Sequence, residues 1–266
     1  MLPPSFDTVS QSSLALPLLE RFDATDVAYR HVGANKIEAT VMVPKNLPAG
    51  PRPLLVRVHG GGMSEGTREA YIRPWIFELA LKHNAILVTP DYRLRPEASW
   101  EEIMDDLKVF WQWIETDLAA HVRSHHYGID VDLDNAAALG ESAGGYYVVQ
   151  SALLGFTQRP LKMIILQYPL LDVKGHLVWM ESWPEKPPVS VLEEHLKLKP
   201  DSDFVTRRPY GSSMRLVFSM MCNGRFAPVD DKHAYLDPLR NIDTAPTLPP
   251  TILLHSRDDE AVSASY

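Results

Sequence analysis

Cysteine is almost absent from this sequence of 266 residues, since Cys222 is its single example. One cysteine cannot form an intrachain disulfide, and it cannot supply the cysteine clusters that hold structural zinc. We therefore expect no metal site in this chain. The lack of an intrachain disulfide is typical of proteins in a reducing compartment, so we interpret this protein as cytoplasmic.

Long apolar runs and long basic runs are missing as well. Nowhere do the roughly 18 apolar residues needed for a membrane helix follow one another, and the first 20 residues lack the cationic flank and apolar core of a secretory signal. The formal net charge is −8, and aromatic residues do not alternate with Lys or Arg. A membrane span and a nucleic-acid partner are therefore not expected. The sequence does not indicate an oligomeric state.

The composition is that of an ordinary globular protein, with 45% hydrophobic and 23% charged residues. The length suits one domain over residues 1–266. From residue 54 onward, short apolar runs alternate with helix-length amphipathic segments, which predicts an α/β fold with a mostly parallel, doubly wound sheet and helices on both faces. The predicted strands are residues 54–58, 85–89, 136–139, 163–167 and 251–255. The predicted helices are residues 12–22, 67–83, 100–124, 143–154, 191–197 and 212–221.

Two stretches depart from this alternation. Residues 1–50 contain only weak strand signals, at residues 38–43 for example, and are interpreted as an N-terminal cap with the first strands. Residues 174–248 are rich in Pro and Trp and are too long for a plain loop, so they are predicted to form a lid inserted over a pocket. The candidate pocket residues in the lid are Trp179, Trp183, Phe204 and Met220. The alternative is that they form the core of the lid, as large apolar residues in such a segment more often do.

The run Gly140-Glu141-Ser142-Ala143-Gly144 matches a nucleophile elbow, in which a strand turns sharply into a helix and exposes a serine hydroxyl. Glycines are needed two residues before and after the serine, because side chains there would collide with the neighbouring strand and helix. The apolar runs on either side fit a strand and a helix. A structural Gly-Ser turn is the alternative. We interpret Ser142 as the nucleophile of a serine hydrolase.

A second glycine-rich run, His59-Gly60-Gly61-Gly62, follows the first predicted strand. Loops of this type supply backbone N–H groups to an oxyanion hole, and we expect the donors to be Gly60, Gly61 and Ala143. A surface turn is one alternative. A phosphate-binding loop is another, but it requires Lys followed by Ser or Thr, and Met63-Ser64-Glu65 stands there instead. His59 is expected to hold the loop rather than to carry protons.

Between these runs lies Asp91-Tyr92-Arg93-Leu94-Arg95-Pro96-Glu97, which by composition alone is a charged turn with solvated ion pairs. Taken in order, the three runs resemble the hormone-sensitive-lipase-like family of α/β hydrolases, which includes many carboxylesterases. The resemblance covers residues 54–262. It implies an α/β-hydrolase fold, hydrolysis of a small-molecule ester through an acyl-enzyme, and no cofactor. It also implies that Asp91 to Glu97 brace the oxyanion loop and that the N-terminal segment helps to cover the acyl pocket.

The resemblance also implies a catalytic acid within residues 253–262, where Ser256 replaces the family's usual glycine. Counting from His255, the acid is Asp259, and Asp258 is the alternative if the count slips by one residue. In the family's chain order the catalytic histidine follows the acid, but no histidine follows Asp259. We therefore expect that the chain is truncated, that a C-terminal strand and helix are missing, and that the general base is absent.

Three functions remain open from the sequence. The first is a serine hydrolase that cleaves carboxylic esters and is weak or inactive as this chain. The second is a non-catalytic small-molecule binder on a hydrolase scaffold, because plant gibberellin receptors resemble the same family and lack the catalytic histidine. The third is an acyltransferase or thioesterase of a biosynthetic pathway, which would pass the acyl group to another acceptor.

Overall fold

The computed structural model describes residues 11–198, 204–228, 231–245 and 247–262. The strands are β1 (Phe22–Val32), β2 (Asn35–Pro44), β3 (Gly50–Val58), β4 (Ile86–Pro90), β5 (Ile129–Glu141), β6 (Met163–Gln167) and β7 (Thr251–Leu254). The helices are α1 (Leu16–Leu19), α2 (Pro74–Lys82), α3 (Trp100–Thr116), α4 (Leu118–His125), α5 (Ala143–Leu153), α6 (Val173–Glu181), α7 (Ser190–Lys197), α8 (Met214–Cys222) and α9 (Pro238–Ile242). A 3₁₀ helix, Asp231–Leu236, precedes α9.

The strands form one sheet in the order β1-β2-β4-β3-β5-β6-β7. Strand β2 is antiparallel to β1 and to β4, and the remaining pairs are parallel. One apolar cluster joins α3, α4 and α5 to one face of the sheet, and a second cluster joins α1 and α2 to the other face. The predicted mostly parallel α/β sheet with helices on both faces is confirmed.

Local sequence explains where the elements begin. Helix α3 starts at a capping box, in which the Ser99 hydroxyl accepts from the Glu102 N–H while the Glu102 carboxylate accepts from the Ser99 N–H. Its buried side chains, Ile103, Leu107, Phe110 and Ile114 among them, recur at the spacing of one helical face. All five residues of β4 are buried, as expected for a strand covered on both faces.

Several boundaries differ from the predicted ones. Helix α2 begins at Pro74, not at residue 67, because the preceding residues form a loop in which Tyr71 has a positive φ of 51°. The helix predicted over residues 100–124 is broken at Asp117, which ends α3 and precedes α4. The helix predicted over residues 12–22 is reduced to α1, Leu16–Leu19, and β1, one of the strands expected within residues 1–50, begins at Phe22. Strand β5 begins seven residues before the predicted start, at Ile129.

The inserted segment packs onto the glycine-rich loop after β3. The backbone of Arg208 pairs with that of Gly66 in this loop, and the Gly66 N–H donates to the Arg208 carbonyl oxygen over 2.7 Å. A Cβ added at Gly62 would lie 2.7 Å from a methyl group of Val217 in α8. The described part of the insertion is therefore fixed against the loop that is expected to form the oxyanion hole. Within the described ranges, no helix is both long and apolar enough to cross a membrane.

Candidate active site

Ser142 occupies the sharp turn between β5 and α5. Its φ and ψ are 53° and −119°, a conformation that residues other than glycine rarely adopt and that costs about 1–3 kcal/mol. The Ser142 N–H donates to the carbonyl oxygen of Gln167, at the end of the neighbouring strand β6, over 2.9 Å. This backbone has the form predicted for a nucleophile elbow.

The two glycines of the elbow allow a very close approach between strand and helix. A Cβ added at Gly140 would lie 2.6 Å from the backbone nitrogen of Gly145. One added at Gly144 would lie 2.6 Å from the carbonyl oxygen of His59 and closer still to that of Val58. Because the obstructing atoms belong to the backbone, they cannot move aside as a flexible side chain would. Glycine at these positions is a requirement of packing.

The predicted oxyanion loop lies beside Ser142 because β3 and β5 are neighbours in the sheet. A Cβ added at Gly60 would lie 2.6 Å from the Glu141 carbonyl oxygen and 3.3 Å from the Ser142 Cβ. Gly61 has a φ of 106°, which only glycine adopts readily. Ala143 is buried at the first position of α5. The fold therefore brings the three predicted donors to the nucleophile turn.

His59 is buried inside this loop and stacks on the ring of Tyr92, with ring centroids 4.3 Å apart. Its Nδ1 lies 2.8 Å from the carbonyl oxygen of Gly60, to which a protonated Nδ1 donates. The Tyr92 hydroxyl donates to the His59 carbonyl oxygen over 2.8 Å. These contacts agree with a role for His59 in holding the loop.

Burial lowers the pKa of His59 from its ordinary 6.5 to about 3. We expect the folded protein to keep this ring neutral at pH 5, whereas the unfolded chain takes up a proton below pH 6.5. Stability is then lost as the pH falls below 6.5, by about 1.4 kcal/mol per pH unit for this one group. NMR titration of the His59 ring resonances tests this expectation. A ring that titrates between pH 5 and 7 would contradict it.

In the run from Asp91 to Glu97 the first four residues are buried, the last three are half-buried, and its charged side chains are paired or bonded. The alternative of a solvated charged turn therefore does not hold. Asp91 accepts from the N–H of Arg68 over 2.7 Å and is almost inaccessible. The side chain of Arg93 donates to Asp106 over 2.8 Å. This fixed run contacts the predicted oxyanion loop through Tyr92, which bonds the His59 carbonyl oxygen, and through the Arg95 N–H, which donates to the Met63 carbonyl oxygen over 2.7 Å.

A cavity of about 400 Å³ opens at Ser142 and the glycine loop. Three tyrosines line it, Tyr71, Tyr168 and Tyr210, and the rings of Tyr71 and Tyr210 meet edge to face at 5.0 Å. The Tyr210 hydroxyl donates to the Gly60 carbonyl oxygen over 3.3 Å. The site is therefore a pocket with an aromatic wall and the nucleophile turn at its base.

Charged groups form one side of the same cavity. Arg73 and Glu141 line it, and a guanidinium nitrogen of Arg73 donates to the Tyr168 hydroxyl over 2.6 Å. Behind the lining, the buried Arg57 approaches the Glu141 carboxylate to 3.5 Å. None of these groups was predicted as a site residue from the sequence, apart from the position of Glu141 in the elbow.

The predicted acid, Asp259, lies in the turn after β7, and its carboxylate is fixed. One carboxylate oxygen accepts from the N–H groups of Ala261 and Val262, over 2.9 and 2.8 Å. The other oxygen lies 3.7 Å from Nε2 of His255. Asp258 is exposed by contrast. Of the two candidate acids, Asp259 is therefore the one that the turn holds in place, and neither of them lines the cavity at Ser142.

Comparison with known proteins identifies the family. Residues 55–263 match the family model described as the alpha/beta hydrolase fold. The chain belongs to this family. The predicted α/β hydrolase of the hormone-sensitive-lipase-like, carboxylesterase type is thereby confirmed.

Two curated relatives and one solved structure illustrate the similarity of this hydrolase to known proteins. Probable carboxylesterase M8 of Phoma sp. is 29% identical over 261 residues, 91% of this chain and 80% of that protein. Probable carboxylesterase clz11 of Cochliobolus lunatus is 29% identical over 197 residues, 68% of this chain and 88% of that protein. The structure named Bacterial Heroin Esterase has a TM-score of 0.59 at 20% identity, covers 90% of this chain and 69% of its own, and shows the fold alone.

The candidate pocket residues of the insertion do not line the cavity of this hydrolase. Met220 is fully buried, and Trp179, Trp183 and Phe204 pack against the main apolar cluster. The rings of Trp179 and Trp183 meet edge to face at 5.1 Å. These four side chains therefore add to the main apolar core, where burial of apolar surface stabilises the fold, and do not contact the cavity.

No histidine lines the cavity among the residues for which the structure gives a placement. His255 bonds the carbonyl oxygen of Val262 through Nε2, over 2.7 Å. His176 is buried in α6, and burial lowers its pKa to about 4 although the negative charges of Asp172 and Asp259 oppose that change. Among the described residues, the cavity thus brings together Ser142 and the predicted oxyanion glycines, whereas neither Asp259 nor a histidine lines it.

Proposed function

We propose that this hydrolase cleaves carboxylic esters of small molecules through an acyl-enzyme formed on Ser142. The observation that carries the proposal is the strained Ser142 turn, which faces a cavity beside three consecutive glycines. Backbone strain of this kind persists only where the surrounding structure imposes it, and it is frequent at active sites. The reaction class is the one named for both curated relatives.

The proposed reaction follows from the positions of these groups. The Ser142 hydroxyl attacks the ester carbonyl, and the alcohol leaves when the tetrahedral intermediate collapses to the acyl-enzyme. Negative charge on the carbonyl oxygen is met by the N–H groups of Gly60, Gly61 and Ala143, which need no reorganisation because the loop is already fixed. Water then releases the acid. No step of this reaction requires a cofactor.

Proton transfer from Ser142 requires a base, and we propose Asp259 as the carboxylate that orients a histidine for this step. Because no described histidine lines the cavity, we expect slow turnover of simple esters by the chain of 266 residues. We also propose that the segment before α1 and the described part of residues 174–248 help to cover the site, since Ser12 lines the cavity and Tyr210 contacts the glycine loop. The rest of the expected N-terminal cap is not available for this, because residues 22–44 form β1 and β2 of the sheet.

Reaction with a fluorophosphonate probe tests the proposed nucleophile. We expect one covalent adduct that forms slowly, over hours with excess probe, is mapped by mass spectrometry to Ser142 and is absent from the Ser142→Ala variant. The labelling is slow because the proposed oxyanion donors assist the attack while no described histidine lines the cavity to take the proton. Ser64→Ala is the matched control. Ser64 is buried and does not line the cavity, so that variant should be labelled as the unmodified protein is.

Two results would contradict the proposal. An adduct that persists in Ser142→Ala would place the reactive group elsewhere. A folded protein that stays unlabelled after hours with excess probe would remove the claim of an activated serine. The second result would favour the non-catalytic binder, for which an intact cavity without an activated nucleophile is sufficient.

A further inference from the structure

Few charged groups line the cavity at Ser142. Among the described residues that line it, Arg73 is the one cation and Glu141 is the one carboxylate. A balanced pair of this kind would leave the pocket neutral if no other charge lay behind it. The electrostatic character of the site therefore depends on what lies behind the lining.

A second arginine, Arg57, contacts the lining residue Glu141 but does not itself line the cavity. Arg57 is fully buried, and its guanidinium lies 3.5 Å from one oxygen of Glu141. The Arg73 guanidinium lies 3.8 Å from the other oxygen. Two guanidinium groups therefore share the Glu141 carboxylate, and neither is as close to it as a hydrogen-bonded pair would be. A second buried carboxylate, Glu65, lies behind the glycine loop and accepts from the N–H groups of Gly211 and Ser213. Arg73 is thus the cation that the cavity itself presents to a ligand.

Arg73 is held in place but not enclosed. One nitrogen donates to the Tyr168 hydroxyl, and the guanidinium lies 5.8 Å from the centre of the Tyr168 ring. About half of the Arg73 side chain, 47%, is exposed. Because a guanidinium has five N–H donors in a planar fork, this arginine retains donors for a carboxylate that enters the cavity.

The partner of Arg73 is itself fixed by the backbone. Tyr168 has a positive φ of 38°, and its N–H donates to the Leu254 carbonyl oxygen over 2.7 Å. A strained tyrosine at the end of β6 thus positions the guanidinium that lines the pocket. Strain at a residue that orients another side chain is expected where that orientation is used.

We propose that Arg73 selects esters that carry a carboxylate elsewhere in the molecule, such as monoesters of dicarboxylic acids. The proposal rests on the proposed function, since it assumes that the ester group of the ligand lies at Ser142. The carboxylate pairs with the exposed edge of the Arg73 guanidinium, and the hydrocarbon part contacts Tyr71 and Tyr210. Arg73 acts here as a specificity residue.

Binding of a matched pair of esters tests this inference without relying on turnover. Monoethyl adipate and its neutral amide, ethyl adipamate, have the same length and the same ester group. We expect the unmodified protein to bind the carboxylate compound about tenfold more tightly in an NMR titration, because a charge-assisted pair is stronger than a neutral hydrogen bond. In Arg73→Gln the two dissociation constants should become equal within about twofold.

Two further variants keep the test specific. Arg73→Lys retains the charge and should retain part of the preference. Arg123→Gln makes the same chemical change at an exposed arginine that does not line the cavity, and it should keep the full preference. Since the readout is a ratio of two ligands, a general loss of affinity through Tyr168 or Glu141 does not imitate the effect.

The outcomes separate this inference from the proposed function. Equal binding of the two compounds, no detectable binding of either, or a preference that survives in Arg73→Gln would each overturn the role of Arg73. The fluorophosphonate experiment decides the role of Ser142 independently. A labelled Ser142 without a carboxylate preference would leave the esterase intact and remove only the specificity.

Discussion

Gly144→Ala is expected to destabilise the protein by about 3 kcal/mol or more and to separate the nucleophile from its oxyanion loop. The new Cβ would lie 2.6 Å from the His59 carbonyl oxygen and even closer to that of Val58. Both obstructing atoms belong to the backbone at the end of β3, so α5 must move away from the sheet. Because Ser142 begins this helix, fluorophosphonate labelling should fall together with the free energy of unfolding.

Chemical denaturation of Gly144→Ala beside Gly33→Ala measures this effect. Gly33 has a φ of 59° in the turn between β1 and β2, but a Cβ there meets no atom within 4 Å. That control should cost only about 1 kcal/mol, since it introduces a left-handed alanine without a collision. Equal losses in the two variants would show that backbone conformation, and not the contact between helix and strand, requires Gly144.

The nucleophile turn could be predicted from sequence because its requirements are local. A serine at positive φ, with glycines at the two points of close approach, leaves a short and specific pattern in five consecutive residues. The same holds for the glycine loop after β3. Their meeting also follows from the sequence, because parallel strands in this kind of fold place their carboxyl ends along one edge.

The wall of the cavity could not be predicted in this way. Tyr71 and Arg73 come from the loop before α2, Tyr168 follows β6, and Tyr210 belongs to the insertion. No spacing in the sequence relates these positions, since only the order of the strands brings them together. The large apolar residues of the insertion were more conspicuous candidates, but residues such as Met220 pack into its core.

The start of α2 was predicted wrongly for a similar reason, because it depends on contacts between residues far apart in the sequence. The segment before Pro74 has helix-like spacing of apolar residues, but it also contains Arg68 and Glu69, both fully buried. Buried charges are rare and must be paired, so their presence in a loop depends on partners elsewhere in the chain. Sequence periodicity does not reveal those partners. Here Arg68 pairs with Asp91, which lies 23 residues away in the sequence, and Glu69 pairs with Arg207, which lies 138 residues away.

Asp91→Asn is expected to lower the free energy of unfolding by about 3–5 kcal/mol. Asp91 is buried, accepts from the Arg68 N–H, and forms ion pairs with the guanidinium groups of Arg68 and Arg207. Without the negative charge of Asp91, fewer carboxylates remain to offset the free-energy cost of burying the Arg68 guanidinium. Three carboxylates remain near Arg68. The buried Glu69, at 3.4 Å, is shared with Arg207, and the more exposed Asp26 and Glu38 lie at 3.2 and 3.3 Å, so they compensate only in part.

The same substitution at a surface ion pair supplies the control for Asp91→Asn. Asp134 is well exposed and lies 2.6 Å from Arg159, and exposed pairs contribute only about 0–1 kcal/mol. Urea denaturation of the two variants at neutral pH should therefore separate their free energies of unfolding by at least about 2 kcal/mol.

If Asp91→Asn proves as mild as Asp134→Asn, the run from Asp91 to Glu97 does not brace the oxyanion loop through this cluster. If it is severe, slower labelling of Ser142 should accompany it, because the same cluster anchors the backbone of Tyr92, which holds His59.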